Sequence, residues 1–246
     1  MTASSTSTVY RILSPEETED IASRILYEDN HVLVFNKRPG EIIQGDKTGD
    51  EPLAEKLKAF IAARDGKPGQ VFMGVPHRLD RPVSGAVILA KTSKALERLS
   101  KTFREGEARK IYWALTEQCP DPAEGKIHTW LTRNEKQNKS YSHPQPCPGA
   151  KEALLRYRLL APTRNYFLVE VELLTGRHHQ IRCQLASTGC PIKGDLKYGA
   201  RRSNPDGSIS LHARQITFVH PTRKEPVTVT APTPMEGMLS PTRPLL

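Results

Sequence analysis

The chain has 246 residues and a mass of 27.5 kDa, enough for one large domain with its own core and too long for a small fold that needs disulfide or metal staples. Hydrophobic residues make up 37% and charged residues 26%, a globular balance rather than a disordered one. With 36 Lys and Arg against 27 Asp and Glu the formal charge is +9, so a polyanionic partner, nucleic acid first, is the ligand class to test.

Residues 1–24 read as a polar lead-in, with a short helix over 16–23 after the cap and first-turn pair Ser14-Pro15. From Ile25 the pattern changes: Ile25-Leu26-Tyr27 and residues 32–35 flank Glu28-Asp29-Asn30-His31, whose polar centre predicts a hairpin turn. Leu53, Leu57, Phe60 and Ile61 recur at helical spacing over 52–64, and Gly66-Lys67-Pro68-Gly69 closes that helix as a loop. Residues 86–90 form an apolar run. Over 93–105 the faces separate, Leu96, Leu99 and Phe103 on one side and Lys94, Arg98 and Lys101 on the other, predicting a helix that packs apolar and presents basic. Phe167, Val169, Val171 and Leu173 alternate as a strand with one buried face. A helix over 178–187 follows, stopped by Gly189 with Pro191 beyond it. Residues 216–219 and 227–230 read as a terminal strand pair around the turn at 221–225. The 20 prolines, about 8% of the chain against an average near 5%, suit many turns between short strands. The expected class is α+β, a mixed and largely antiparallel sheet with flanking helices.

No apolar run approaches bilayer length, so no membrane partner is expected. Residues 1–8 are Ser/Thr-rich without a hydrophobic stretch, so no export signal is read and the cytoplasm is the expected location. Cys119, Cys147, Cys183 and Cys190 form no C-x-x-C pair and read as free thiols. No phosphate-binding, dinucleotide, zinc-protease or nucleophile-elbow signature is present, and Lys47-Thr48-Gly49 reads as a surface turn. His178, His179, Cys183 and Cys190 lack a standard zinc spacing, so no metal and no cofactor are expected.

Three segments concentrate ionisable, aromatic and glycine residues beside apolar strands. In the first, His77-Arg78-Leu79-Asp80-Arg81-Pro82-Val83-Ser84-Gly85, a carboxylate between two arginines stays ionised and able to act as nucleophile or base. Alone, it reads first as a solvated Asp–Arg pair before a proline. In the second, Arg109-Lys110-Ile111-Tyr112-Trp113-Ala114-Leu115, Tyr112 is either a base-stacking ring or an ordinary strand aromatic. In the third, running from Leu173 through Thr175-Gly176-Arg177-His178-His179-Gln180-Ile181-Arg182, a strand gives way to a helix with exposed amides and two arginines suited to an anion.

Together and in this order the segments resemble the RluA family of RNA pseudouridine synthases. The family pattern H-R-L-D-x-x-T-S-G matches at 77–85, K-x-Y-x-A at 110–114 and T-G-R-x-H-Q-[IL]-R at 175–182, with Pro191-Ile192-Lys193-Gly194-Asp195 and Tyr198-Gly199 continuing the third block. The hairpin at 25–37 extends the likeness to residues 25–232, leaving 233–246 as a tail. Val83 replaces the family's usual Thr, and Arg38 stands between Lys37 and Pro39 where the proline usually follows directly. The resemblance implies a pseudouridine synthase fold with a central catalytic cleft, and a cofactor-free isomerase. Asp80 would act on the ribose or the uracil ring, Tyr112 would stack beneath uracil and help remove the C5 proton, and Arg182 would pair with Asp80. Arg78 would fill the space left by a flipped nucleotide.

RNA contacts are expected from Arg78, His77, Lys110, Arg177, His179 and Gln180, and from Lys94, Arg98 and Lys101, with further phosphate contacts from Lys91, Arg109 and the polar stretch 133–139. Larger family members carry an N-terminal S4 module, for which the lead-in leaves no room, so target choice in rRNA or tRNA is expected to rest on the catalytic domain. No obligate protein partner is evident. A competing expectation is an RNA-binding or RNA-folding factor of the same fold without chemistry. Glycoside hydrolysis ranks lower because no second acid accompanies Asp80 in these blocks.

Overall fold

The computed structural model describes residues 10–239 except 46, 47 and 68. Residues 1–8, Lys47 of the expected surface turn, Pro68 of the expected loop and the tail beyond 239 lie outside the described residues.

The chain opens on α1 (Pro15–Ser23), where Ser14 Oγ accepts from the Glu17 amide and the Glu17 carboxylate accepts from the Ser14 amide. Strands β1 (Ile25–Glu28) and β2 (Val32–Lys37) form the expected hairpin, its turn fixed by Asp29 Oδ1 accepting the amides of His31 and Val32 at 2.7 and 2.8 Å. Then come α2 (Leu53–Arg64), β3 (Ser84–Ala90), α3 (Ser93–Glu105) and β4 (Arg109–Thr116). Strands β5 (Glu124–Asn134), β6 (Lys139–His143), β7 (Lys151–Pro162) and β8 (Phe167–Leu173) follow. The chain closes through α4 (Gln180–Ser187), β9 (Leu211–Val219) and β10 (Pro226–Thr230).

Among the described residues one sheet holds all ten strands, in the order β1-β2-β3-β9-β4-β8-β7-β5-β6, with β10 on β9. Every pairing is antiparallel except β3 with β9, so the largely antiparallel α+β expectation holds. Period-two alternation gives the sheet two buried faces. Val32, Val34, Ala86, Ile88 and Ala90 pack with Ala95 and Leu99 of α3 on one side. Leu33, Phe35, Val87 and Leu89 pack with Leu57, Phe60 and Ile61 of α2 and with Ile181 and Leu185 of α4 on the other.

The single parallel junction opens the cleft. Strands β3 and β9 pair only at Ser84 with His212 and Gly85 with Ala213. A Cβ on Gly85, whose φ is +112°, would lie 2.4 Å from the Ala213 carbonyl oxygen, so only glycine allows that approach. Past the junction the free edge of β3 is taken by the preceding segment, through a bridge from Gly74 to Ala90 and a bond from the Ile88 amide to His77 Nε2 at 3.0 Å. The segment carrying Asp80 therefore runs along the gap between the two strands.

The described part of the lead-in packs on the main core through Tyr10, Leu13 and Ile21, and buried Arg24 pairs with Asp20 and Glu41. At the other end, Glu236, within 233–246, pairs with Arg214 at 2.7 Å. Two expectations need correction, those for residues 117–166 and for the start of the last helix. Residues 117–166, with no expected element and a polar stretch at 133–139, contain three strands, the stretch being the β5–β6 turn and its flanks. Ile127 and Leu131 of β5 are buried, but Thr129 between them points inward to Gln184, which hides the alternation in a polar residue. The last helix starts at Gln180 rather than His178, because His179 has a left-handed backbone with φ 52°.

Candidate active site

Asp80 sits on a turn whose carbonyls are all held. The Asp80 carbonyl accepts from the Val83 amide, that of Arg81 from Gly40, and that of Pro82 from Ile209. Lys37, 1% exposed at the end of β2, donates to the carbonyls of Arg38, Arg81 and Val83 at 2.9, 3.0 and 2.6 Å, with the Asp80 carbonyl at 3.4 Å. Burial pulls the Lys37 ammonium down to about 8, opposed by the charges of Glu41 and Asp80. Neither neighbouring arginine pairs with Asp80: Arg81 binds Asp50 at 2.7 Å, and Arg78 is exposed.

The partner is Arg182, on the second residue after Gln180 in α4. Its Nη1 donates to Asp80 Oδ2 at 3.0 Å, while Nε and Nη2 form a fork with Asp195 at 2.7 and 2.9 Å. Asp195 is 1% exposed, and the Tyr198 ring lies beneath the guanidinium at 5.2 Å. Burial works against the Arg182 charge, yet the bonds to Asp195 and Asp80 raise its pKa well above the ordinary value. Asp80 Oδ1 accepts no hydrogen bond among the described residues, so this carboxylate is anchored through one oxygen and bare on the other.

These groups border a cleft of about 380 Å³. Asp80, Tyr112, Arg182, Arg78, His77, Lys110, Arg177, His179 and Gln180 all line it. Leu79, Val83, Leu173, Ile181 and Leu211 supply apolar wall, so a flat ring fits beside ionic groups. Tyr112 enters from β4, 8% exposed, and its hydroxyl has no hydrogen-bond partner among the described residues. Burial, reinforced by the Asp80 charge, raises its pKa and keeps it a neutral phenol. Burial also lowers the Lys110 ammonium.

Several expected RNA contacts are occupied by the protein itself. The His77 ring stacks on Phe103 at 4.2 Å and its Nε2 takes the Ile88 amide, while burial pushes it down to about 3. Gln180 accepts from Thr175 Oγ1 and the Arg177 amide and donates to the Leu154 carbonyl, which closes the loop of the third motif. Arg177 Nε donates to the Glu152 carbonyl. Lys94, Arg98 and Lys101 do not line the cleft; Ser100, Phe103 and Arg104 of the same helix do. Arg98 donates to the Pro221 carbonyl at 2.6 Å, Lys91 pairs with Glu28 and Arg109 with Glu172.

Asp195, paired with Arg182, and Arg104, in the cleft lining, are site residues that the sequence motifs do not mark as such. Asp195 had a signal, its place in the extension of the third motif, but nothing local shows that it is buried against Arg182. Of the four residues weighed as zinc ligands, His178 contacts Ser140 and Asn138, His179 contacts Tyr198, and the two thiols lie against the carbonyls of Ser140 and Thr188. No group of three or more His, Cys, Asp or Glu among the described residues is placed to hold a metal ion. No helix among them is long and apolar enough to cross a membrane.

A model of the RNA pseudouridylate synthase family matches residues 31–187. A Synechocystis protein named as an uncharacterized RNA pseudouridine synthase is 32% identical over 220 residues, covering 88% of this chain and 67% of the relative. Ribosomal large subunit pseudouridine synthase C of Vibrio parahaemolyticus is 32% identical over 226 residues, covering 89% of this chain and 68% of the relative. The chain thus spans about two thirds of the length of these relatives. Among solved structures, human RNA Pseudouridylate Synthase Domain Containing 4 shares the fold with a TM-score of 0.74 at 24% identity, over 88% of this chain and 91% of its own. The match runs from the second strand of the first hairpin through the helix that carries Arg182 and takes in Asp80 and Tyr112, and the chain belongs to the RNA pseudouridylate synthase family.

Proposed function

We propose that the protein isomerises uridine to pseudouridine in structured rRNA or tRNA, with Asp80 as the reacting carboxylate. The observation that carries this is the one-sided anchoring of Asp80, with Arg182 on Oδ2 and Oδ1 unpaired in a cleft with apolar walls. The reaction breaks the N1–C1′ bond, turns the detached uracil, joins C5 to C1′ and moves the C5 proton, leaving a hydrogen on N1. Substrate and product have the same composition, so no redox partner or donated group is needed.

In this reading Oδ1 supplies the electron pair, acting on ribose or ring, while Arg182 orients the carboxylate through Oδ2. Tyr112 stacks against the uracil as a neutral phenol. Its raised pKa supports stacking over service as a phenolate base. The apolar wall lets the base turn without losing hydrogen bonds to protein. Arg78, exposed at the rim, takes the vacated place in the RNA stack, and Arg104 and Lys110 add positive charge beside the phosphates. Such a substrate is met in the cytoplasm. The test is to map pseudouridine by chemical tagging and sequencing in RNA from cells with and without the gene. At least one rRNA or tRNA position should lose its mark with the gene and regain it with wild type but not with Asp80→Asn; identical maps contradict the assignment.

A further inference from the structure

Three described residues other than glycine have a positive φ, and of these only His179, at 52°, lines the cleft. A left-handed backbone is unfavourable for an ordinary side chain, and it persists where surrounding contacts hold it. The contacts here form a relay. The Ser140 amide of β6 donates to Tyr198 Oη at 2.8 Å, so the hydroxyl keeps its single proton for another acceptor. That acceptor is His179 Nδ1, 3.0 Å away. A neutral imidazole that accepts at Nδ1 carries its proton on Nε2. His179 Nε2 lies 3.5 Å from Asp80 Oδ2, the same oxygen that takes Arg182.

The charge state agrees with this geometry. Burial pushes His179 down to about 3; Asp80 opposes the shift, and Arg182, His178 and Lys197 add to it. The ring is clamped from its other side by His178, stacked at 3.8 Å and itself tied to Ser140 Oγ and Asn138.

We propose that His179, fixed by Tyr198 as the Nε2–H tautomer, is a positioning residue that turns Asp80 Oδ2 inward and leaves Oδ1 for the substrate. This rests on the reading of Asp80 as the reacting carboxylate. The Nε2–Oδ2 separation is 3.5 Å, and contacts of this kind commonly tighten in a substrate complex. Four separated parts of the chain, the β6 strand, the turn at Tyr198, the start of α4 and the Asp80 loop, thereby set one carboxylate.

Two readouts test it. In the full chain without RNA, nitrogen NMR of the imidazoles should show His179 protonated on Nε2 and not titrating between about pH 5.5 and 8.5. Tyr198→Phe should replace that state by mixed tautomers. In single-turnover conversion at saturating RNA, His179→Asn, which tolerates a left-handed backbone but is too short to reach Asp80, should lose about tenfold or more in rate. His179→Gln, which can place an N–H near the old Nε2, should stay within about threefold of wild type. A His179 that titrates near its ordinary value or carries its proton on Nδ1 overturns the proposal, as does an Asn variant with wild-type rate or equal losses in the Asn and Gln variants. Should a His179 variant fail to fold, the tautomer and the Tyr198→Phe rate decide, with unchanged values counting against it. The NMR arm needs no activity, so its failure is distinguishable from failure of the Asp80 assignment, which Asp80→Asn tests alone.

Discussion

Arg182 is committed to two carboxylates at once, and that sets what its replacement does. Removing it leaves Asp195 buried without its cation, a loss of about 3–5 kcal/mol for a broken buried pair. Arg182→Met should therefore be both inactive and unstable. Arg182→Met combined with Asp195→Leu should recover much of that stability and none of the activity. Chemical denaturation with single-turnover conversion checks both; a double variant that regains activity would mean that Asp80 needs no cation. Asp80, Tyr112 and Arg182 were legible because the three motifs mark them. Asp195 was not legible as a partner, because sequence distance carries no information about which carboxylate is buried against which arginine. His77 and Gln180 were legible as cleft residues but not as residues spent on the protein's own backbone.

The β1–β2 hairpin shows how a turn legible as polar gains a specific energetic role. Burial alone would raise the Asp29 carboxyl, but the His31 amide, the Tyr27 hydroxyl, the Val32 amide and His220 bring it down to about 2. A carboxyl lowered in the folded state stabilises above its unfolded pKa, and that contribution is lost as pH falls through the folded value. Asp29 should thus contribute about 2 kcal/mol at neutral pH, fading between about pH 4 and 2. Asp29→Asn should lower neutral-pH stability and flatten stability against pH in that window; an unchanged acid profile would contradict this.

Helix α3 is amphipathic as the sequence indicates, yet the residues it turns to the cleft are Ser100, Phe103 and Arg104 rather than the basic row. Helical periodicity separates faces but does not say which edge meets the site. Charge neutralisation at Arg78 and Arg104 should flatten the slope of log K for RNA against log[salt] by about 0.7–0.9 per lost phosphate contact. Lys94→Gln with Lys101→Gln should change it less; the opposite ranking would place the RNA on the outer face of α3. Strand β5 stayed hidden for a related reason, since its inward Thr129 serves a hydrogen bond to Gln184 instead of apolar packing.

Across the whole molecule, one short parallel contact between β3 and β9 brings together motifs separated by about a hundred residues. The Asp80 turn leads into β3, β4 presents Tyr112 on the other side of β9, and α4 delivers Arg182 to the same cleft. The α+β class, the terminal strand pair and most helices follow from periodicity. The pairing of distant strands does not, because it depends on Gly85 meeting Ala213, a contact 128 residues apart that no local pattern records.

In the proposed mechanism the Asp80 carboxylate isomerises uridine with no redox partner and no donated group. The most direct test is single-turnover conversion of the RNA carrying the mapped uridine, by purified protein treated with EDTA and free of nucleotide and reductant. Wild type should form pseudouridine at full rate, and folded Asp80→Asn should bind the RNA with similar affinity and form none. Wild-type conversion by Asp80→Asn would remove Asp80 from the chemistry, and wild-type activity that vanished with EDTA and returned with zinc would show that a metal takes part.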